Sequence, residues 1–321
     1  MSMHAAVVRS FDHPPRYESV DAPQSAGPGQ AIVDVLAAGL HPRVRTGASG
    51  RHYTSTGELP MIPGVDGVGR LANGGLVYFA APDDVRGSMA ERVLVDLRRT
   101  VPLPADADVT KIAAAMNPAM SAWVTLRRRV PLQPGQSVLV LGATGNAGGM
   151  AVQIARKLGA GRVVGAGRNP ERLAALSAAG ADEMVALADD PAVTGERLAR
   201  AAAEVDVVID YLWAEPAAIA IMALLKARTD RSRALDWIQV GAVAGPTIEL
   251  PSVALRSANL RLQGTGQGSV SPAAYLAELP SLVEQIDVGA IEVDARGVPL
   301  ADVETAWTAP EPPGVRTVLI P

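Results

Sequence analysis

The stretch from Ser137 to Ala160, SVLVLGATGNAGGMAVQIARKLGA, leaves this chain few folds to choose from. Ser137–Leu141 is a short apolar run bounded by Pro134-Gly135 before it and Gly142 after it. Such a run predicts a strand buried on both faces. Four glycines follow within eight residues, Gly142, Gly145, Gly148 and Gly149. A helical pattern then takes over, with Ala147, Ala151, Ile154, Ala155 and Leu158 on one face and Gly159 placed to stop it. Backbone amides at the start of such a helix have no intrahelical partner and carry partial positive charge, so a pyrophosphate fits there. The dinucleotide fingerprint G-x-G-x-x-G appears as Ala143-Thr144-Gly145-Asn146-Ala147-Gly148, with alanine in the first place and Gly142 just before it. Gly145 would let the backbone approach the phosphates, and Gly148 would let the helix lie close on the strand.

From Ser137 onward strands and helices alternate. Arg162–Gly165, Glu183–Leu187, Val205–Asp210 and Leu235–Val240 read as further strands, with Asn259–Gln263 as a sixth on the sheet's edge. Asn169 is placed to cap a helix with Pro170 at its first position and Gly180 to end it, and another helix opens at Glu215-Pro216. This rhythm predicts a doubly wound parallel sheet covered on both faces. Residues 1–118 instead show short β-like runs (Ala5–Arg9, Ala31–Ala38, Gly75–Ala80, Ala90–Val95) between Pro- and Gly-rich turns, the pattern of a β-barrel-like domain. Lys111–Arg129 reads as a helix leading into the glycine stretch. After the sixth strand the alternation stops: one helix (Pro272–Gln285) and a last strand (Val315–Ile320) are expected to return to the first domain. The expected division is therefore 1–118, 119–262 and 263–321.

Composition narrows the function classes. A net charge of −4 gives no electrostatic case for nucleic acid or an anionic membrane. The basic run Arg127-Arg128-Arg129 reads as a solvated helix end. No apolar run approaches a membrane span, and the first residues lack a signal-peptide core, so a cytoplasmic protein is expected. The absence of cysteine excludes disulfides, thiol catalysis and Cys-ligated zinc.

Several blocks in fixed order carry a resemblance. They are Ala38-Gly39-Leu40-His41-Pro42, Pro60 to Gly69 (PMIPGVDGVG), Gly87 to Glu91 (GSMAE), Asn117 to Trp123 (NPAMSAW), the glycine stretch, Val298 to Val303 (VPLADV) and Gly314 to Leu319 (GVRTVL). The chain resembles the medium-chain dehydrogenase/reductases, and among them the zinc-free quinone oxidoreductases. The resemblance implies an α/β fold in which a Rossmann domain is inserted into a GroES-like catalytic domain, with a C-terminal return, and a homodimer pairing sixth strands edge to edge. The zinc alcohol dehydrogenases of that superfamily hold Cys, His and Cys where this chain has His41, Val65 and Asn117. One imidazole beside a valine and an amide cannot make a three-ligand catalytic centre, so no metal is expected.

Charge argues for the cofactor's flavour. An NAD site usually places Asp or Glu at the end of the second strand to bind the ribose hydroxyl. Here that place reads Gly165-Ala166-Gly167-Arg168-Asn169, and Arg172 follows one helical turn later. Guanidinium groups suit a 2′-phosphate, so NADPH is expected. Ligands of such sheets lie at the carboxyl ends of the strands. This makes Tyr211, Gly241-Ala242-Val243 and Gly264-Thr265 candidates for the nicotinamide end, with Tyr211 and Trp213 open to a packing role instead. Arg316 matches a place where some relatives touch the adenosine phosphate. His41 stands where the family usually has Asn and could bond a substrate oxygen or the nicotinamide ribose, supply a proton, or simply hold its loop. Tyr53 matches a tyrosine lining the quinone pocket of relatives, and its phenol could bond a carbonyl gaining negative charge.

The expected activity is NADPH-dependent hydride transfer to a quinone or an α,β-unsaturated carbonyl, by an enzyme that positions its reactants and needs no zinc. Two alternatives stay open: an enoyl-thioester reductase, and an NADPH-binding sensor or structural protein with little turnover.

Overall fold

The computed structural model describes residues 1–83 and 85–321. The chain folds as two compact units, Met1–Pro118 together with Leu279–Pro321, and Ala119–Glu278. The chain passes from one unit to the other after Pro118 and back after Glu278. The strand Leu260–Gly264 completes the parallel sheet of the Ala119–Glu278 unit, and Glu278 is anchored to that unit by its carboxylate.

In the Ala119–Glu278 unit, six strands form one sheet in the spatial order Glu183–Ala186, Arg162–Gly167, Ser137–Leu141, Val207–Asp210, Leu235–Gln239, Leu260–Gly264. Every pairing is parallel, the doubly wound Rossmann order in which successive strands are added first to one side of Ser137–Leu141 and then to the other. Alternating side chains serve both faces. Leu139 and Leu141 pack with Leu198, Ala217, Ile221 and Leu224 of two flanking helices, Pro191–Ala202 and Ala214–Ala227. Val138 and Val140, pointing the other way, are just as buried. That two-sided burial is why the strand reads as an unbroken apolar run.

The other unit carries a seven-stranded, largely antiparallel sheet. Its order is Asp294–Pro299, Val315–Ile320, Gln30–Gly39, Asp66–Leu71, Leu76–Ala80 and Thr100–Pro102, with Arg92–Asp96 also paired to Gln30–Gly39. A two-stranded ribbon, Ser2–Val7 with Arg16–Asp21, accompanies it. The C-terminal strand pairs Val318 with Gly39 and Leu319 with Ala38, so the chain's end braces the strand that leads to His41.

Two helices differ from expectation. Pro272–Gln285 is not one helix but two, Pro272–Leu276 and Leu279–Asp287. Pro280 would clash with the carbonyl one turn back in a continuous helix, but it is tolerated in the first turn of a new one. Val109–Val124 is α-helical and closes in a wider π-turn over Thr125–Arg129, sealed by the bond from Val130 N–H to the Thr125 carbonyl. Arg127 and Arg128 on this turn are not merely solvated. Both pair with Glu278, whose side chain is buried and also accepts the Trp123 indole N–H at 3.2 Å.

Candidate functional site

The glycine turn is shaped by what each missing side chain would strike. Gly142 sits at φ +85°, the left-handed conformation that turns the chain sharply off the first strand. A Cβ on Gly148 would lie 2.2 Å from the Gly142 carbonyl oxygen, so the helix Asn146–Lys157 can approach this turn only because residue 148 is glycine. A Cβ on Gly167 would lie 2.4 Å from Thr144, which locks the end of the second strand against the turn. Gly145 is different: it is the helix N-cap, it is exposed, and its nearest obstacle would be 3.4 Å away. These glycines bring Thr144, Asn146 and Ala147 together at the start of the helix, where amides without an intrahelical partner suit a pyrophosphate.

Beside that turn lie the two arginines. Asn169 Oδ1 accepts the Arg172 N–H at 2.9 Å and caps the short helix Pro170–Ala175, as its sequence predicts. Arg172 is half-buried, with its guanidinium 3.7 Å from where a Gly149 Cβ would stand and its Nε buried without a partner. Arg168 is exposed and makes no hydrogen bond or ion pair with another described residue. No carboxylate occupies the end of the second strand. A 2′-phosphate would find two uncommitted cations here.

The remaining strand ends line up across the sheet, Leu141 opposite Asp210, Asp210 opposite Gln239, and Gln239 opposite Gly264. A Gly142 Cβ would touch Leu212 and Tyr211, so the glycine turn and the end of the fourth strand are neighbours at the switch point. Their loops are laced together by backbone bonds: Gly241 N–H to the Asp210 carbonyl, Val243 N–H to Tyr211, Ala244 N–H to Leu212, and Thr265 N–H to Gln239. Ala242, Val243 and Gly264 are exposed, Val243 at 80%, and Gly241 and Thr265 are half-buried. Tyr211 turns inward. Its hydroxyl pairs with Ser121 Oγ at 2.9 Å, and burial raises its ionisation above the usual phenol range. Only its backbone is left for a ligand.

Sequence reasoning stopped short of Asp210's own role. This carboxylate is fully buried; Oδ1 accepts the N–H groups of Leu212 and Trp213, and Oδ2 accepts the Trp237 indole N–H at 3.1 Å. Its signal was an acid closing the otherwise apolar strand Val207–Asp210, VVID.

In the other unit, His41 is 1% exposed. Its Nε2 faces Asp66 Oδ1 at 3.4 Å, and Asp66 Oδ2 accepts the Tyr78 hydroxyl at 2.8 Å. Ser88 Oγ donates to the Asp66 carbonyl at 2.5 Å. Burial lowers the His41 pKa, with Asp66 opposing it and Arg316 and Arg43 adding to it. The imidazole is therefore a neutral link in a buried chain, and solvent does not reach it. Asp66 and Tyr78 were not singled out in the sequence, because nothing in the spacing of residues 41, 66 and 78 signals contact. Arg316, expected near the adenosine phosphate, is buried and paired within the protein. It is 4% exposed and donates to the Leu40 carbonyl at 3.0 Å and to Glu311 at 2.9 Å, holding the backbone next to His41. Tyr53 is 69% exposed, on the loop after the helix Pro42–Ala48, with its ring 4.3 Å from that of His52.

The zinc positions can be judged by their donors. His41 Nε2 is directed at Asp66, Val65 offers no donor, and Asn117 is an amide. Among the described residues no cluster of three His, Cys, Asp or Glu side chains could hold a metal ion.

Comparison with known proteins places the chain. A family model described as "Zinc-binding dehydrogenase" matches residues 147–281, a stretch with neither histidine nor cysteine. A probable NADPH-dependent quinone reductase (tdiC) of Emericella nidulans is 31% identical, covering 99% of this chain and 100% of the relative. The quinone oxidoreductase of Thermus thermophilus, whose structures include a complex with NADPH, superposes with a TM-score of 0.81 at 27% identity, covering 99% of this chain and 100% of that one. A mitochondrial enoyl-[acyl-carrier-protein] reductase of Caenorhabditis elegans is 28% identical over a shorter region, 48% of this chain and 47% of the relative. With sequence similarity along its whole length and both units matched in a solved relative, the chain belongs to the medium-chain dehydrogenase/reductase superfamily, in its quinone oxidoreductase family.

Proposed function

We propose that this protein is an NADPH-dependent reductase that delivers hydride to a quinone or to the β-carbon of an α,β-unsaturated carbonyl, without zinc. The observation that carries the reading is the pairing of an open glycine-capped helix N-terminus with Arg168 and Arg172, where an NAD site would have an acid. The full-length likeness to a probable NADPH-dependent quinone reductase supports it. When bound, the cofactor supplies the hydride.

Everything else is the protein's own work. The first-turn amides at Asn146 and Ala147 hold the pyrophosphate, and the two arginines hold the 2′-phosphate. The backbone of the Gly241–Val243 and Gly264-Thr265 loops orients the nicotinamide end. Tyr53, with its phenol exposed, donates a hydrogen bond to the substrate oxygen as negative charge grows there. Solvent completes the protonation. His41 acts by holding the Leu40–Pro42 backbone in place through Asp66, since its burial leaves no path to a substrate. We further propose a homodimer formed through the edge strand Leu260–Gly264, and a cytoplasmic setting. Among the described residues no helix is long and apolar enough to cross a membrane.

The partial match to an enoyl reductase favours one second reading, reduction of an enoyl thioester. A single panel separates the readings: NADPH and NADH oxidation with 1,4-benzoquinone, 9,10-phenanthrenequinone, a simple enone and a crotonyl thioester, for the wild type and Arg168→Ala. NADPH-linked quinone or enone turnover, with cofactor KM raised by Arg168→Ala, is expected. Turnover confined to the thioester moves the activity to the second reading, and tight NADPH binding without turnover makes the protein a cofactor-binding sensor.

A further inference from the structure

Among the described residues the non-glycine positions with positive φ are two in succession, Trp213 at 59° and Ala214 at 50°. Trp213 combines that φ with a ψ of −161°. This lies at the edge of a region reached almost only by glycine, and a bulky side chain there marks real strain. Such a conformation persists where the surroundings over-determine it. Here the surroundings are Asp210 and its donors. One carboxylate oxygen accepts N–H groups from Leu212 at 2.8 Å and Trp213 at 3.0 Å, which ties down the peptide units on either side of the turn's entry. The other oxygen accepts the Trp237 indole N–H at 3.1 Å, which fixes the carboxylate's own orientation. The Trp213 indole packs against the same core that holds Trp237. On the far side, Ala244 N–H donates to the Leu212 carbonyl at 2.9 Å and Val243 N–H to the Tyr211 carbonyl at 3.2 Å. The position of the Gly241–Gly245 loop therefore depends on the Tyr211–Ala214 turn.

We propose that Asp210 is a positioning residue: its buried carboxylate holds the strained Trp213 turn, and through it the Gly241–Gly245 loop, in the arrangement that receives the nicotinamide half of the cofactor. The last clause rests on the NADPH reading above. Three N–H donors converge on this group and none is offered an N–H or O–H in return, so a carboxylate is the side chain that satisfies all of them. Asparagine would turn an amide N–H toward a donor on one side. Burial works against the charged form and raises the carboxyl's pKa, while the three donors oppose that shift.

The test is a double-mutant cycle of Asp210→Asn with Trp213→Gly, because glycine adopts the turn's conformation without strain. It is read by NADPH Kd from cofactor fluorescence and by urea unfolding without cofactor. Asp210→Asn alone is expected to raise the NADPH Kd tenfold or more, with KM for NADPH rising in step. In the Trp213→Gly background the same substitution is expected to change Kd by less than threefold. Equal, additive effects in both backgrounds overturn the proposal, as does an Asp210→Asn enzyme with wild-type Kd. If the wild type itself shows no preference for NADPH, the cofactor reading fails. Asp210's hold on the turn is then judged by the unfolding cycle, where coupling above threefold in the unfolding constant supports it and additivity refutes it. Should Asp210→Asn not fold, Trp237→Phe removes one donor. A threefold or larger rise in Kd that Trp213→Gly suppresses is then expected, and an unsuppressed rise refutes the proposal.

Discussion

Gly148 shows how a single absent methyl group sets the geometry of the glycine turn. Its Cβ would fall 2.2 Å from a backbone oxygen that cannot swing aside. Gly148→Ala is therefore expected to cost at least about 2 kcal/mol, as overpacking does, and to weaken NADPH binding, both visible in melting curves with and without cofactor. Arg172 makes the second residue-scale prediction. Arg172→Ala should raise KM for NADPH tenfold or more and leave KM for NADH within twofold, because a phosphate contact discriminates only the cofactor that carries the phosphate. His41 makes the third. Its folded-state pKa is depressed by burial, so in the folded protein it stays neutral at a pH where the unfolded chain, with an ordinary value near 6.5, takes up a proton. The stability this contributes is present above about pH 6.5 and is lost as pH falls toward 5. Urea unfolding from pH 8 to 5 should show a downward slope that His41→Gln, less stable overall, makes shallower. A pair such as His41 and Asp66 was beyond the sequence, since both sit among glycines and apolar residues with no spacing rule between them.

At the level of elements, Glu278 joins the π-turn Thr125–Arg129 to the break between the helices Pro272–Leu276 and Leu279–Asp287. Burial alone would raise its pKa, but hydrogen bonds from Arg127 and Arg128 hold it below the usual carboxylate range. The arginines are nearly half exposed, so the pairs are partly screened. Glu278→Gln is expected to cost about 1–3 kcal/mol, less than the loss of one partner from a fully buried pair. Circular dichroism on heating checks it, and high salt should weaken the wild type's advantage. The strands of the parallel sheet were legible because each is buried on both faces and reads as an apolar run. The final strand, Val315–Ile320, has the expected limits. The break at Pro280 was signalled by the proline itself, although the apolar pattern runs through it, whereas the distant ion pairs that turn Glu278 inward had no sequence signal.

For the molecule as a whole, ligand linkage offers a direct check. NADPH at a hundred times its Kd should stabilise the Ala119–Glu278 unit by about 2.7 kcal/mol, and NADH at the same concentration by much less. Light scattering after size exclusion should give twice the 33.2 kDa chain mass if the edge strand pairs two copies. The order of turns, glycines and apolar runs by itself determined the parallel sheet, its glycine turn and the family resemblance, because these depend on local conformation and on periodic burial. Tertiary structure alone decided three things: that His41 and Arg316 are buried and paired inside the protein, that the basic run pairs with a buried glutamate, and that Asp210 accepts the backbone N–H groups of a turn in which Trp213 takes a positive φ. Each depends on which distant groups a side chain meets once water is excluded, and neither propensity nor spacing encodes that meeting.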